Sequence, residues 1–213
     1  MANANSPFGL KPVKHLDGSP WNGQTMSCFV ASGYSGAALY VGDPVVLAGS
    51  ASADGSKPTV GIATAGATNP VFGVITSFAP LATDLSKLYF ASGDTPGRVV
   101  QVCVDPTVLY EVQGNSAGVI AATDVGALAA LVATVDGATG GSTITGLSGW
   151  CVNYTGISTT SNLQVRIMGA VPRADNDISA VYAKWLVLIN LHQLFTPASN
   201  AAAGTTILGA VGV

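Results

Sequence analysis

From Met26 onward, short apolar runs alternate with turn residues. Residues 26–31, 44–48, 59–63, 71–79, 98–104, 108–113, 150–154, 163–171 and 185–191 are rich in Val, Ile, Phe, Tyr and Trp. Gly42-Asp43-Pro44, Ala53-Asp54-Gly55, Asp94-Thr95-Pro96-Gly97, Asp105-Pro106 and Asp136-Gly137 punctuate them. An aspartate before proline starts a turn, because the ring sets φ and the carboxylate bonds backbone amides. Within the runs the period is two. Leu163, Val165, Ile167 and Val171 share one face, opposite Gln164, Arg166 and Met168. Val100, Val102 and Val104 likewise oppose Val99, Gln101 and Cys103. Such alternation marks half-buried strands. Residues 185–191 are apolar on both faces, so that strand is either central or covered by a partner. The pattern predicts an all-β, mainly antiparallel, sandwich- or barrel-like body over 26–195. One short helix is expected, capped by Thr123-Asp124, with Val125, Leu128, Leu131 and Val132 at helical spacing.

Two segments fall outside the strand pattern. Residues 1–25 form an extended arm in which Pro7, Pro12 and Pro20 alternate with Gly9, Gly18 and Gly23, a spacing that opposes helix and long strand. Its Phe8, Leu10, Val13, Leu16 and Trp21 are too apolar for a solvated tail, so the arm must lie on its own body or on a neighbour. Residues 196–213 form an Ala/Gly/Thr-rich tail whose Ile207 and Leu208 could anchor on a neighbour. Residues 137–149 read as a Gly/Ser/Thr-rich flexible loop.

Charge changes the picture more than length does. Only 9% of the 213 residues are charged, against about 25% in an ordinary soluble domain. Residues 137–165 and 185–213 carry no formal charge at all. A free monomer normally dissolves behind a coat of Lys, Glu, Asp and Arg, so much of this surface is expected to be covered by other protein. The net charge of -3 and the scattered basic residues give no nucleic-acid footprint. No apolar run reaches the ~20 residues of a membrane helix, and residues 1–7 show no signal-peptide pattern. Cys28, Cys103 and Cys151 are expected to be reduced, buried small hydrophobes in strands, as in a protein made in a cytoplasm.

Catalytic chemistry is thin. His15, Asp17 and Ser19 are neighbours in sequence, but a triad is a spatial arrangement. His192 follows an apolar strand and is expected to bond a backbone carbonyl. There is no nucleophile elbow, no Cys-x-x-Cys and no P-loop lysine. Arg173-Ala174-Asp175-Asn176-Asp177 lacks the glycine and terminal glutamate of a calcium loop and reads as a turn with an Arg–Asp pair. The expectation is no enzyme, no cofactor and no metal. The scattered aromatics Trp21, Trp150, Trp185, Tyr34, Tyr40, Tyr89, Tyr110, Tyr154 and Tyr182 leave a glycan-binding or receptor-binding protein as the alternative.

Longer stretches carry a resemblance. Residues 6–23, from Ser6-Pro7-Phe8-Gly9-Leu10 to Trp21-Asn22-Gly23, resemble the opening of small structural proteins of tailed bacteriophages. So do residues 40–47, the Val104-Asp105-Pro106 turn before Tyr110-Glu111-Val112, residues 163–176, and Ala183-Lys184-Trp185-Leu186-Val187-Leu188-Ile189-Asn190 with His192-Gln193. The chain is similar to head decoration, or cement, proteins over nearly its whole length; residues 196–213 lie beyond the likeness. The resemblance implies a virion protein, made in the host cytoplasm, that binds the outside of the major capsid protein lattice and stabilises the shell. It implies a homotrimer, with a dimer as second choice, and neither nucleic acid nor membrane as partner. Phe8, Leu10, Val13, Trp21, Trp185, Ile207 and Leu208 are the expected capsid or subunit contacts. Removal of residues 1–23 is expected to abolish shell binding and leave a folded body.

Overall fold

The computed structural model describes residues 3–135, 138–160 and 162–195; the tail contacts expected at Ile207 and Leu208 lie outside them. The chain is nearly all β. Among the described residues fourteen strands follow one another: β1 (Lys11–His15), β2 (Met26–Val30), β3 (Pro44–Ala51), β4 (Pro58–Ile62), β5 (Gly73–Phe78), β6 (Arg98–Cys103), β7 (Val108–Gln113), β8 (Leu128–Ala129), β9 (Leu131–Val132), β10 (Thr134–Val135), β11 (Ala138–Thr139), β12 (Cys151–Val152), β13 (Val165–Ala170) and β14 (Lys184–Ile189). Every run read as a strand from the sequence overlaps one. Five strands close into a barrel in the order β2-β4-β3-β5-β6. All its pairs are antiparallel except β2 with β4. The main open sheet runs β1-β7-β14-β13-β8 and is antiparallel throughout.

The barrel encloses Cys28, Val30, Val45, Val60, Ile75, Val100 and Val102, with Phe72 and Phe90 against them. A second cluster joins barrel to sheet: Val74 and Cys103 pack with Tyr110, Val112, Trp150, Trp185 and Val187. Strand β14 lies between β7 and β13, with Trp185, Val187 and Ile189 buried on one face and Leu186 and Leu188 half-buried on the other. Trp185 is therefore core, fully buried, and not a contact for another protein. On β13 the predicted inward face holds, with Val165 and Ile167 fully buried, but Gln164 is buried too. Its Oε1 accepts the Gly66 and Leu131 amides at 3.0 and 3.1 Å, and its Nε2 donates to the Thr64 carbonyl at 2.9 Å. A buried amide with all these partners ties three segments together.

The helix expected over 123–132 is only a single 3-10 turn, Ala122–Asp124, followed by β8 and β9. Gly126 takes φ +93° there, and its N–H bonds the Ile167 carbonyl at 2.8 Å. The Leu128 and Ala129 backbones pair with β13, so tertiary pairing overrides the helical spacing.

The arm contains one short strand. Residues 11–15 are a strand paired with β7, bulged between Pro12 and Lys14. The Asn3 amide donates to the carbonyls of Asp177 and Val181, and the Ser6 N–H donates to Gln113 Oε1. Leu10 is 1% exposed. The arm thus lies on its own body, and Leu10 is core.

Aspartates fix the turns. In Asp17, Asp84 and Asp177 one carboxylate oxygen accepts both the N–H and the O–H of the serine two residues on. Oxygen Oδ1 of Asp54 takes the amide and Oδ2 the hydroxyl, so there both oxygens share the work. Asp105 does the same with Thr107. Hydrogen bonds to the charged form hold the four Asp–Ser carboxyls below their ordinary range. Their contribution is present above the unfolded value and is lost as pH falls through the folded one.

The integrated arm makes two predictions. Removing residues 1–23 strips an edge strand and uncovers Leu10's pocket, so the truncated chain should lose cooperative unfolding in circular dichroism, contrary to a free-arm account. Leu10→Ala alone should cost about 2–5 kcal/mol in denaturant titration.

Candidate functional site

A groove of about 520 Å³ opens where arm, barrel and sheet meet. Phe8, Leu10, Lys11, Pro12 and Trp21 of the arm form one wall. Val41, Ile75 and Thr76 of the barrel region and Leu147 form the other, and Glu111 and Arg173 close one part. Ligand sites favour such junctions and are lined mostly by apolar groups with a few polar ones.

The geometry follows from one close approach. The Leu10 N–H donates to the Gly42 carbonyl at 2.9 Å, and the Gly42 N–H donates to the Ile75 carbonyl at 2.8 Å. Gly9 and Gly42 have φ of +71° and +95°. A Cβ on Gly9 would collide with the Gly42 carbonyl and Ser148, and one on Gly42 with the Phe8 carbonyl. Both glycines are required by conformation and by space.

Charge in the groove is uneven. Glu111 is buried and pairs with Arg173 at 2.9 Å, while Arg173 Nε reaches Asp175 at 3.4 Å. The Arg–Asp turn expected from sequence is present, and Glu111 joins it. Lys11 makes no ion pair among the described residues.

Next to the groove lining, in the chain turn after Gly42, lies Asp43, fully buried. Its Oδ2 accepts the Tyr40 N–H at 2.8 Å, and Oδ1 has no hydrogen-bond partner. The Ser148 oxygen accepts the Trp150 N–H, and its hydroxyl lies close enough to Asp43 to favour the charged form. Desolvation dominates and pushes this carboxyl up to about 7.

Three of the expected contacts meet here: Phe8, Leu10 and Trp21. Phe8 and Trp21 are half-buried, and Leu10 forms floor rather than rim. Val13 is 37% exposed but does not line the groove. Trp185 is elsewhere, in the core. Among the aromatics, Tyr110, Trp150 and Trp185 are buried, and Tyr40 stacks on Tyr89 at 5.3 Å. Sequence reading missed Lys11, Glu111 and Leu147 as groove residues, because they come together only through the β1–β7 pairing and the parallel bridge of Val41 with Leu147.

The remaining chemistry is structural. His15 Nδ1 faces Thr107 Oγ1 and Asp105 Oδ2 at 3.3 and 3.4 Å, while Asp17 and Ser19 bond each other. His192 Nε2 lies 3.0 Å from the Val104 carbonyl, as expected, and Nδ1 accepts the Leu194 N–H. That pair of bonds assigns the proton to Nε2. Burial pulls this imidazole below its ordinary value. All three cysteines are buried within strands. No group of three metal-ligating side chains occurs among the described residues. No helix among them is long and apolar enough to cross a membrane. No family model, no curated protein and no solved structure matches the chain.

Asp43 gives a pH prediction. Its folded value lies above the unfolded one, 3.8, so the folded state holds the extra proton between them and stability falls as pH rises from about 4 to 7. Asp43→Asn removes this slope. In urea titrations the variant should gain roughly 2–3 kcal/mol on wild type between pH 5 and pH 8. His192 acts oppositely: its contribution is complete above 6.5 and is lost as pH falls through its lowered value. It stays in both proteins and cancels in the difference.

Proposed function

We propose that this chain is a structural virion protein that decorates the outside of a tailed-phage capsid lattice as a homo-oligomer and stabilises the shell. The observation that carries the reading is the surface. Leu85, Ile144, Leu194 and Phe195 are each more than half exposed, on a chain with only 9% charged residues. Large apolar side chains exposed without a coat of charge favour association with other protein. The resemblance of residues 6–23, 40–47, 163–176 and 183–190 to head decoration proteins points the same way. The titratable groups support it by what they do: aspartates fix turns, His192 clips backbone, and Arg98 holds carbonyls.

A shell gains from such a subunit because each copy buries apolar area across a lattice contact, at about 25 cal/mol per Å². Repetition over many equivalent sites multiplies a modest contact. Extra stabilisation of the lattice by bound protein follows from mass action.

The test is co-sedimentation of the full chain with matching empty shells. Binding should saturate at a fixed ratio to the major capsid protein and raise the temperature of shell disruption. A protein left in the supernatant at every shell concentration would sink the reading. The alternative, a receptor- or glycan-binding protein, rests on Trp21 beside the Glu111–Arg173 pair and predicts retention on a glycan array with no affinity for shells.

A further inference from the structure

The groove and the most exposed apolar loop of the barrel lie side by side on one face. Residues 79–90 leave the barrel after β5 and return beside residue 39, where Leu39 and Phe90 exchange backbone bonds. Buried Arg98 holds the base of this loop. Its Nε, Nη1 and Nη2 donate to the carbonyls of Ala79, Tyr89 and Lys87 at 2.6, 3.1 and 3.0 Å. Lys87 is tied in turn to Asp94 at 2.6 Å. The tip is Asp84-Leu85-Ser86, closed by Asp84 Oδ1 accepting the Ser86 N–H and O–H. Leu85 at this tip is 77% exposed. An apolar side chain held out on a braced turn has already lost much of the freedom that binding would otherwise remove.

The loop adjoins the groove through two contacts. Gly146 packs against Leu88, and the next residue, Leu147, lines the groove. Tyr89 stacks on Tyr40, and the next residue, Val41, lines it too. The two surfaces are complementary. The groove is mostly apolar; its Glu111 and Arg173 pair with each other, and its remaining charge, Lys11, has no ion-pair partner among the described residues. The tip is an apolar side chain with a carboxylate directly before it.

We propose that the groove is filled by a second copy of this chain: Leu85 of each copy enters the groove of the other, and Asp84 meets Lys11. With knob and groove on one face, a twofold axis near Leu147 makes both contacts at once, an isologous dimer. Ile144, 87% exposed on the adjoining turn, is covered near the axis. The inference selects the dimer over the trimer and does not depend on shell binding.

The experiment is native mass spectrometry and sedimentation velocity on the full chain, with circular dichroism to confirm folding. Wild type should be a dimer. Lys11→Asp and Asp84→Lys should each raise the dimer dissociation constant at least ~10-fold, by setting like charges face to face. Mixing the two variants should restore dimers, as heterodimers only, because both contacts then pair opposite charges. Leu85→Ser, which leaves the charges alone, should also dissociate the dimer. A wild-type monomer or trimer overturns the proposal and leaves the shell reading standing. A dimer indifferent to both Lys11→Asp and Leu85→Ser overturns it as well. If wild type is monomeric and a shell-derived peptide shifts the Lys11 and Thr76 amide resonances, the groove's occupant is the shell and not a second copy.

Discussion

The structure depends on the contact of two backbones at Gly9 and Gly42. There the arm crosses the barrel with no side chain between them, and the chain of bonds from Leu10 through Gly42 to Ile75 joins arm to barrel. The same crossing lets β1 reach β7 and complete the sheet. It brings Phe8 and Trp21 opposite Ile75 and Val41, which makes the groove. It also buries Asp43 under the joint with one oxygen left without a partner. A buried polar group without a partner costs roughly 1–3 kcal/mol, so the joint is a place where packing outweighs polar satisfaction. Trp185 Nε1 is similarly orphaned in the cluster that binds barrel to sheet.

Scarcity of charge gives the few charged side chains definite positions. Five aspartates close turns on a serine or threonine two residues later, and Arg98 holds three carbonyls of one loop. Charges that elsewhere keep a surface wet here shape loops. The surface that remains is apolar at Leu85, Ile144, Leu194 and Phe195. Lys11 lines the groove without an ion-pair partner among the described residues and adds a positive charge beside the Glu111–Arg173 pair.

Much of the fold was legible because strands are local in period. The alternation in β6 and β13 reports burial on one face, and the structure places them so; β14, apolar on both faces, buries Trp185, Val187 and Ile189 and half-buries Leu186 and Leu188. Element type failed where pairing, not propensity, decided. Leu128 and Leu131 have helical spacing, yet their backbones are taken up by β13 and β12. The arm's prolines hid β1, because an edge strand tolerates Pro12 where its missing N–H is not needed. The groove was half legible. Apolar arm residues signalled a contact, but the partner turned out to be the chain's own barrel. Glu111, Arg173 and Leu147 are far apart in sequence, and no local pattern could bring them together. The Asp-x-Ser turns were present in the sequence as a repeated spacing, and that signal was readable.

The account holds that this fold works as a surface, presented many times over on a shell. The most direct measurement is a cryo-electron microscopy reconstruction of matching capsid shells incubated with the full chain and of the same shells alone. The account predicts added density at symmetry-equivalent positions on the outer face, into which the barrel and sheet fit as one body. Two reconstructions with identical outer surfaces would contradict it.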